Sequence, residues 1–401
     1  MGLIEAGVAV IGGRVVENAR VPGPVDAYYD VVLVPGFSDG HAHPQVVDAG
    51  LARGRVWRSS YEWMRGRRLS VDEVGIRRDT VFAARLASLV FARALLEGVT
   101  LVAVTGRLAA NILAWTGMPE RPRAVFLPSV MDVEGWSLDE VRADYEEVSQ
   151  FVGDGLARLG VFVHSLGMAG AATARRAIAM AAERGGVLGL HFSEGVREAD
   201  RFRRVFGDPP YPARIVAVHC IEESLERLGV PCIACPASNL LLYGRTRSSL
   251  RGVRGLGSDW PLLLGTVARH LPLARRVFRG ERLEALLSAA TVGSYRAYSM
   301  PYGGDLVAFD GSLDDVLEAR VLPRLVAVAG RVAVDEGRLA TSGLSHGEVE
   351  RMIEDALKEA HERYGVDGAP PLRPLSSWEL LELLPRAPSG KRPAHLGDLR
   401  A

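Results

Sequence analysis

From residue 31 onward, short apolar runs alternate with longer helical stretches, and this rhythm restricts the fold more than any other feature of the chain. The runs are VVLVPGF (31–37), TLVAVTG (100–106), RAVFLPS (123–129), LGVFVHS (159–165), VLGLHFS (187–193), IVAVHC (215–220), CIACPAS (232–238) and GLGSD (255–259). Near-continuous Val, Ile, Leu and Phe is the pattern of strands buried on both faces. Between them, TVFAARLASLVFARALLEG (80–98) places apolar residues three and four apart and ends at Gly98, an expected C-cap. ATARRAIAMAAERGG (172–186) does the same. Alternating strand and helix implies a parallel sheet, and eight such strands fit an α/β fold closed into a (β/α)8 TIM barrel.

The two ends read differently. VAVIGGRVVENA and AYYDVVLV look like short strands joined by turns, as do GGDLVAFDG and the hairpin-like RLVAVAGRVAVDEGRLA. Residues 1–34 and 302–344 are therefore expected to form one small β-sandwich domain, flanking a barrel over 35–301. SHGEVERMIEDALKEAHERYG (345–365) is an amphipathic helix with Ser345 as its cap and Glu348 three residues on. The rest of 345–401 is Pro-rich and expected to be only partly ordered.

Composition excludes several classes. The 48 basic and 48 acidic residues cancel, which argues against a nucleic-acid-binding face. Hydrophobic residues, at 48%, supply a sizeable core. The N-terminus lacks the basic and apolar regions of a signal peptide, and no apolar run reaches membrane-spanning length. Cys220, Cys232 and Cys235 are too few for a disulfide framework, and Cys232 and Cys235 are expected to be core thiols in a buried strand. A soluble cytoplasmic protein is the expectation.

In such a barrel, chemistry sits where strands end. His41 and His43 follow the first run, His164 ends the fourth, and His191 lies in the fifth with Glu194 just after it. His219 lies near the end of the sixth and Asp259 ends the eighth. Alternate residues of a strand share a side, so His41 and His43 can hold one cation together. Imidazoles with a carboxylate make a hydrolytic site for zinc, or for iron, that leaves a position for water. His-x-His alone is a weak signal; joined to His191 and Asp259 in register with a barrel it is a strong one. Asp259 also suits a helix N-cap, a compatible role. For His164 and His219, one of the two can equally be a packed core histidine.

Together these residues resemble the amidohydrolase superfamily, and within it the cytosine deaminase, guanine deaminase and triazine chlorohydrolase branch. PGFSDGHAHPQ is similar to the first-strand metal motif, LHFSEG to the His-x-x-Glu motif, and VHCIEESLERLGVPCIACPASNLLLYG to the sixth- and seventh-strand signature. GLGSDWP is similar to the last-strand Asp motif, which supports that short run as the eighth strand, and GGDLVAFD to the return into the β domain. The resemblance implies one divalent metal held by His41, His43, His191 and Asp259, lowering the pKa of a bound water. It implies Glu194 as the proton shuttle, His219 as stabiliser of the tetrahedral centre, and Asp259 as an aid to proton movement. His164 stands where the branch carries a substrate-facing histidine. Members bridging two metals commonly use a carboxylated lysine, but the only lysines here are Lys358 and Lys391, so a mononuclear site is expected. The family tends toward homodimers.

Departures bear on the substrate. Gln45 is similar to a substrate-contacting glutamine of guanine deaminases but stands two residues after His43 rather than three. The Pro-Arg-Phe motif of those enzymes is replaced by HSLGMAG, and Trp260 puts a bulky ring directly after Asp259. For Gln45 and Trp260, contact with substrate and plain loop packing are even readings. The leading expectation is hydrolytic deamination of an amino-substituted heterocycle: a purine, pyrimidine, pterin or similar small molecule. The alternative is opening of a cyclic amide of the imidazolone type, or a chlorohydrolase-like displacement. A silent relative used for binding is the reading from another class, and the complete set of ligands argues against it.

Overall fold

The computed structural model describes residues 2–50, 55–152, 155–366, 374–382 and 384. Eight parallel strand positions close into a barrel: Phe37–Ala42, Val99–Gly106, Arg123–Val130, Ala157–Leu159 continued by Val161–Val163, Val187–Phe192, Arg214–His219, Cys232–Ala234 and Val253–Leu256. Each pairs with the next. The eighth returns to the first through Leu256 opposite Asp39. The expected (β/α)8 barrel is the observed fold.

Two runs divide differently from their pattern. VVLVPGF is not one strand: Ala27–Pro35 belongs to the small sheet, and the first barrel strand begins at Phe37. The Pro35–Gly36 step separates them, since proline brings no N–H to a ladder. The fourth strand is interrupted at Gly160, where a Cβ would meet the Val187 carbonyl oxygen at 2.5 Å. CIACPAS is strand only to Ala234; Pro236 then opens a helix, Pro236–Tyr243, with proline in its first turn.

The barrel interior is filled by Leu101, Leu127, Phe162, Val216 and Ile233, with Tyr295 and Tyr298 of the helix Val292–Tyr298 in the same buried cluster. The chain ends build one seven-stranded mixed sheet, its two halves joined where 306–309 pairs antiparallel with 32–35. Alternation sorts its faces. Val307 and Phe309 join the large core shared with the barrel, while Leu306 and Ala308 join a separate cluster with Ile4, Leu33 and Leu325.

The helix Thr80–Leu96 is capped by Asp79, and its chain turns at Gly98 with φ 82°. The C-terminal helix His346–Tyr364, with its Ser345/Glu348 capping box, packs on it through Val349, Ile353 and Ala360. The Pro-rich tail falls mostly outside the described residues. Arg93 chelates Glu350, and His346 Nε2 lies 2.9 Å from buried Glu97 Oε1. Burial alone would raise the Glu97 carboxyl, but the His346 hydrogen bond and the Arg93 and Arg269 charges outweigh it and bring it down to about 2. A carboxyl lowered on folding stabilises the fold above its ordinary 4.5, and that stability drains away as pH falls toward 2. The shift corresponds to about 3 kcal/mol. Glu97→Gln is expected to cost on the order of that amount at neutral pH. It should also flatten the loss of stability between about pH 5 and 2, read by urea unfolding across pH. An acid limb identical to the parent's would dismiss this account.

Among the described residues, no helix is long and apolar enough to cross a membrane.

Candidate metal centre and cavity

The ligand candidates meet at the C-terminal rim: strands one and eight, neighbours around the barrel, carry three of them, and strand five brings His191 from the opposite wall. Strand one presents His41, with His43 just past its end, and Asp259 follows strand eight. The seam between these two is knitted by backbone bonds from Asp259 N to the His41 carbonyl (2.8 Å) and from His43 N to the Asp259 carbonyl (2.6 Å). GLGSD is glycine-rich for a steric reason: a Cβ on Gly257 would lie 2.9 Å from the Cβ of His41 and 3.0 Å from Cys235 Sγ. Asp39, buried beneath, accepts from Ser258 N at 2.9 Å, and its carboxyl is pushed up to about 6, chiefly by burial.

Ser193, His219, Cys220 and Asp259 all have positive φ (58°, 71°, 49° and 67°). Left-handed backbone at non-glycine residues costs of order 1–3 kcal/mol each and gathers at functional sites. Here it gathers just past strand five, at the end of strand six and just past strand eight.

The Nε2 atoms of His41, His43 and His191 form a triangle with sides of 3.0, 3.3 and 3.0 Å. Asp259 Oδ1 stands 3.5 Å from His41 Nε2 and 3.4 Å from His43 Nε2. A tetrahedral cation with bonds near 2.1 Å has ligand–ligand edges of about 3.4 Å; the five edges above are of that size, and all four ligand atoms lie within 4.8 Å of one another. Three imidazole nitrogens facing one another cannot all be satisfied by each other's protons; one shared cation satisfies all three. Burial, and then neighbouring histidine charges, push His43 and His191 well below their ordinary range, leaving neutral rings with lone pairs to give. Burial would raise Asp259, but the His41 hydrogen bond and the adjacent histidine charges hold it well below the usual carboxylate range. His43 is oriented by Thr105 Oγ1, 2.7 Å from its Nδ1.

Glu194 and His219 stand beside this cluster, with Glu194 Oε1 3.5 Å from His219 Nε2. Burial first, and repulsion from Asp259 second, push the Glu194 carboxyl up to about 8. Tyr243 donates its hydroxyl to Glu194 Oε1 at 2.8 Å. His219 Nδ1 is 2.8 Å from Asn239 Oδ1, which accepts its proton and leaves Nε2 facing the site. Asn239 and Tyr243 both lie within the sixth- and seventh-strand signature, but nothing in the sequence assigned either of them a partner.

His43, His164, His191, Glu194, His219, Asp259 and Trp260 line one cavity of about 190 Å³. A buried water needs roughly 10–15 Å³ by a comparable measure, so the space suits a small molecule. Trp260 packs against Trp63, ring centroids 5.7 Å apart, and His164 against His191 at 4.8 Å. Gln45 is not brought to the cavity. It is 1% exposed and donates to Asn111 Oδ1 at 2.5 Å, because two residues past His43 the chain has already turned toward the barrel wall. Arg67, Glu73 and Arg77 also line the cavity, from a segment to which nothing in the sequence assigned a role.

The cysteine expectation needs correcting. Cys220 and Cys232 are paired as a disulfide, and only Cys235 is a buried thiol. Strands six and seven are adjacent, and Cys220, just past strand six with left-handed backbone (φ 49°), has its Cα 6.6 Å from that of Cys232. A second group of possible metal ligands, Glu97, His346 and Glu350, already contains the Arg93 and Arg269 guanidiniums as partners and is a charge network.

Fold and site together define a closed (β/α)8 barrel carrying a three-histidine, one-aspartate cation cluster at the floor of a small-molecule cavity. No protein-family model matches the chain, and no curated protein sequence matches it. Solved structures do. A zinc-bound adenosine deaminase from Xanthomonas campestris superposes with a TM-score of 0.70 at 19% identity, covering 90% of this chain and 98% of that one. Atrazine chlorohydrolase from Arthrobacter aurescens, complexed with zinc, gives 0.67 at 18%, covering 89% and 100%. An amidohydrolase from Brucella melitensis gives 0.62 at 19%, covering 90% and 100%. At these identities the likeness establishes the fold.

Proposed function

We propose that this protein is a mononuclear metal-dependent hydrolase that deaminates an amino-substituted heterocycle. The observation that carries the reading is the convergence of His41, His43, His191 and Asp259, their ligand atoms within 4.8 Å of one another, with the carboxyl of Glu194 beside them. Zinc is the expected metal, in keeping with the zinc in the deaminase and chlorohydrolase of the same fold. Bound there, a divalent cation supplies Lewis acidity and brings the pKa of a water toward neutrality.

The chain's own residues do the rest. Glu194 takes a proton from the attacking water and delivers it to a ring nitrogen or to the departing amine. Its raised carboxyl suits both directions, and the Tyr243 hydroxyl keeps Oε1 in place. His219, its Nδ1 proton committed to Asn239, presents Nε2 to the tetrahedral centre. Asp259 stays ionised, and its Oδ2, 4.0 Å from His219 Nε2, stands where it helps to guide the proton's movement. Trp260 and His164 shape the substrate's berth from the cavity wall.

The test is elemental analysis of the purified protein together with an ammonia-release screen of aminopurines, aminopyrimidines and pterins. About one zinc per chain, with ammonia from one ring class, is the expected result. One metal with no ammonia but a new carboxylate product would transfer the reading to ring opening. No metal after reconstitution would end it.

A further inference from the structure

Resting on the hydrolase reading, we infer that the substrate ring carries an anionic substituent, a carboxylate or a phosphate, and that Arg67 and Arg77 bind it. The two arginines line the same cavity as the metal cluster, on the segment between the first barrel strand and its helix. Both are largely enclosed, their side chains 14% and 11% exposed. One carboxylate serves the pair: Glu73 Oε2 lies 2.7 Å from Arg67 Nη2, and Glu73 Oε1 lies 2.9 Å from Arg77 Nη2. Among the described residues no other carboxylate stands within ion-pair distance of either. This part of the cavity therefore holds two fixed positive charges against one negative.

Enclosing an uncompensated charge is costly, and a ligand anion removes that cost. Donor capacity points the same way. Each guanidinium has five N–H donors, of which Glu73 occupies few, and Arg77 Nε is buried without a partner. Beside them, His164 Nδ1 is also buried without one. The guanidiniums are held in fixed planes, Arg67 over the Trp63 ring at 4.8 Å and Arg77 over Trp136 at 4.0 Å. Flat, stacked and under-bonded guanidiniums match the planar bidentate demand of a carboxylate, or two oxygens of a phosphate. The remaining acids of the cavity, Glu194 and Asp259, belong to the metal cluster, so a ring with an acidic group has one orientation: reacting carbon toward the metal, anion toward the arginines.

The experiment compares matched pairs. Pterin-6-carboxylate against pterin probes a carboxylate; adenosine 5′-monophosphate against adenosine probes a phosphate. Binding to the zinc-loaded Glu194→Gln protein is read by titration calorimetry, and ammonia release by the parent enzyme is read alongside. At least one acid should bind about tenfold to a hundredfold tighter than its neutral partner, as charge-assisted hydrogen bonds require. Adding Arg77→Met should bring that ratio to about one, and adding Glu73→Gln should raise it, because an anion then no longer competes with the resident carboxylate. Equal binding of acid and neutral partner in both pairs, loss of both together in Arg77→Met, or failure of both acids to bind at millimolar concentration would overturn the inference. If Arg77→Met does not fold, an unchanged ratio in Glu73→Gln overturns it alone. Acid preference without ammonia would sink deamination and leave the anion site standing; ammonia from neutral rings at a ratio of one would do the reverse.

Discussion

Glu194→Gln is expected to keep its metal and lose turnover by about a hundredfold to ten-thousandfold, the range that a positioned general acid–base group supplies. The substitution keeps the shape and the Tyr243 contact, since an amide oxygen also accepts from the phenol, but removes the site that takes and returns a proton. The four metal-facing atoms are on other residues, so metal content should stay at the parent level. The paired reading makes the result specific: kcat collapses while elemental analysis is unchanged. Full activity in Glu194→Gln would remove Glu194 from proton transfer and shift attention to Asp259 and His219.

Loss of a ligand should separate cleanly from loss of the shuttle. His191→Ala deletes one corner of the nitrogen triangle and leaves His41 and His43 without their third partner. Changes to groups that merely orient a ligand typically weaken a metal site tenfold to a hundredfold, so losing the ligand itself should cost at least about a hundredfold in affinity. The expected outcome is a protein that leaves a desalting column with little metal and no turnover. It should also melt at a temperature that added zinc no longer raises, since binding to the native state is what couples metal to stability. Unchanged metal content would exclude His191 from the ligand set.

Much of this site is visible along the chain. His41 and His43 are two apart on a strand, and Asp259 closes a glycine-rich run. His191, His219 and Glu194 sit at or near the ends of apolar runs that read as strands. Each of those signals lies within a few residues, at the scale where side-chain alternation and hydrophobic period operate. The strand limits were harder: VVLVPGF reads as one strand because its apolar pattern is continuous, yet Pro35 and Gly36 divide it between two sheets. Gln45 stayed open between substrate contact and loop packing for a related reason. Spacing from His43 says how far along the chain it lies, but not that the backbone has turned it onto Asn111.

By itself, then, the sequence determined the alternating architecture, the two β-rich ends that join, and which residues stand at strand ends, because local periodicity encodes them. Only the tertiary structure decided which of those residues share an ångström-scale triangle, that Tyr243 and Asn239 hold Glu194 and His219, and that Cys220 meets Cys232. The same holds for Arg67, Glu73 and Arg77, which turn inward to a cavity. These are contacts between segments far apart in the chain, set by strand order around a closed barrel. No pattern within one segment records what the neighbouring strand places opposite it.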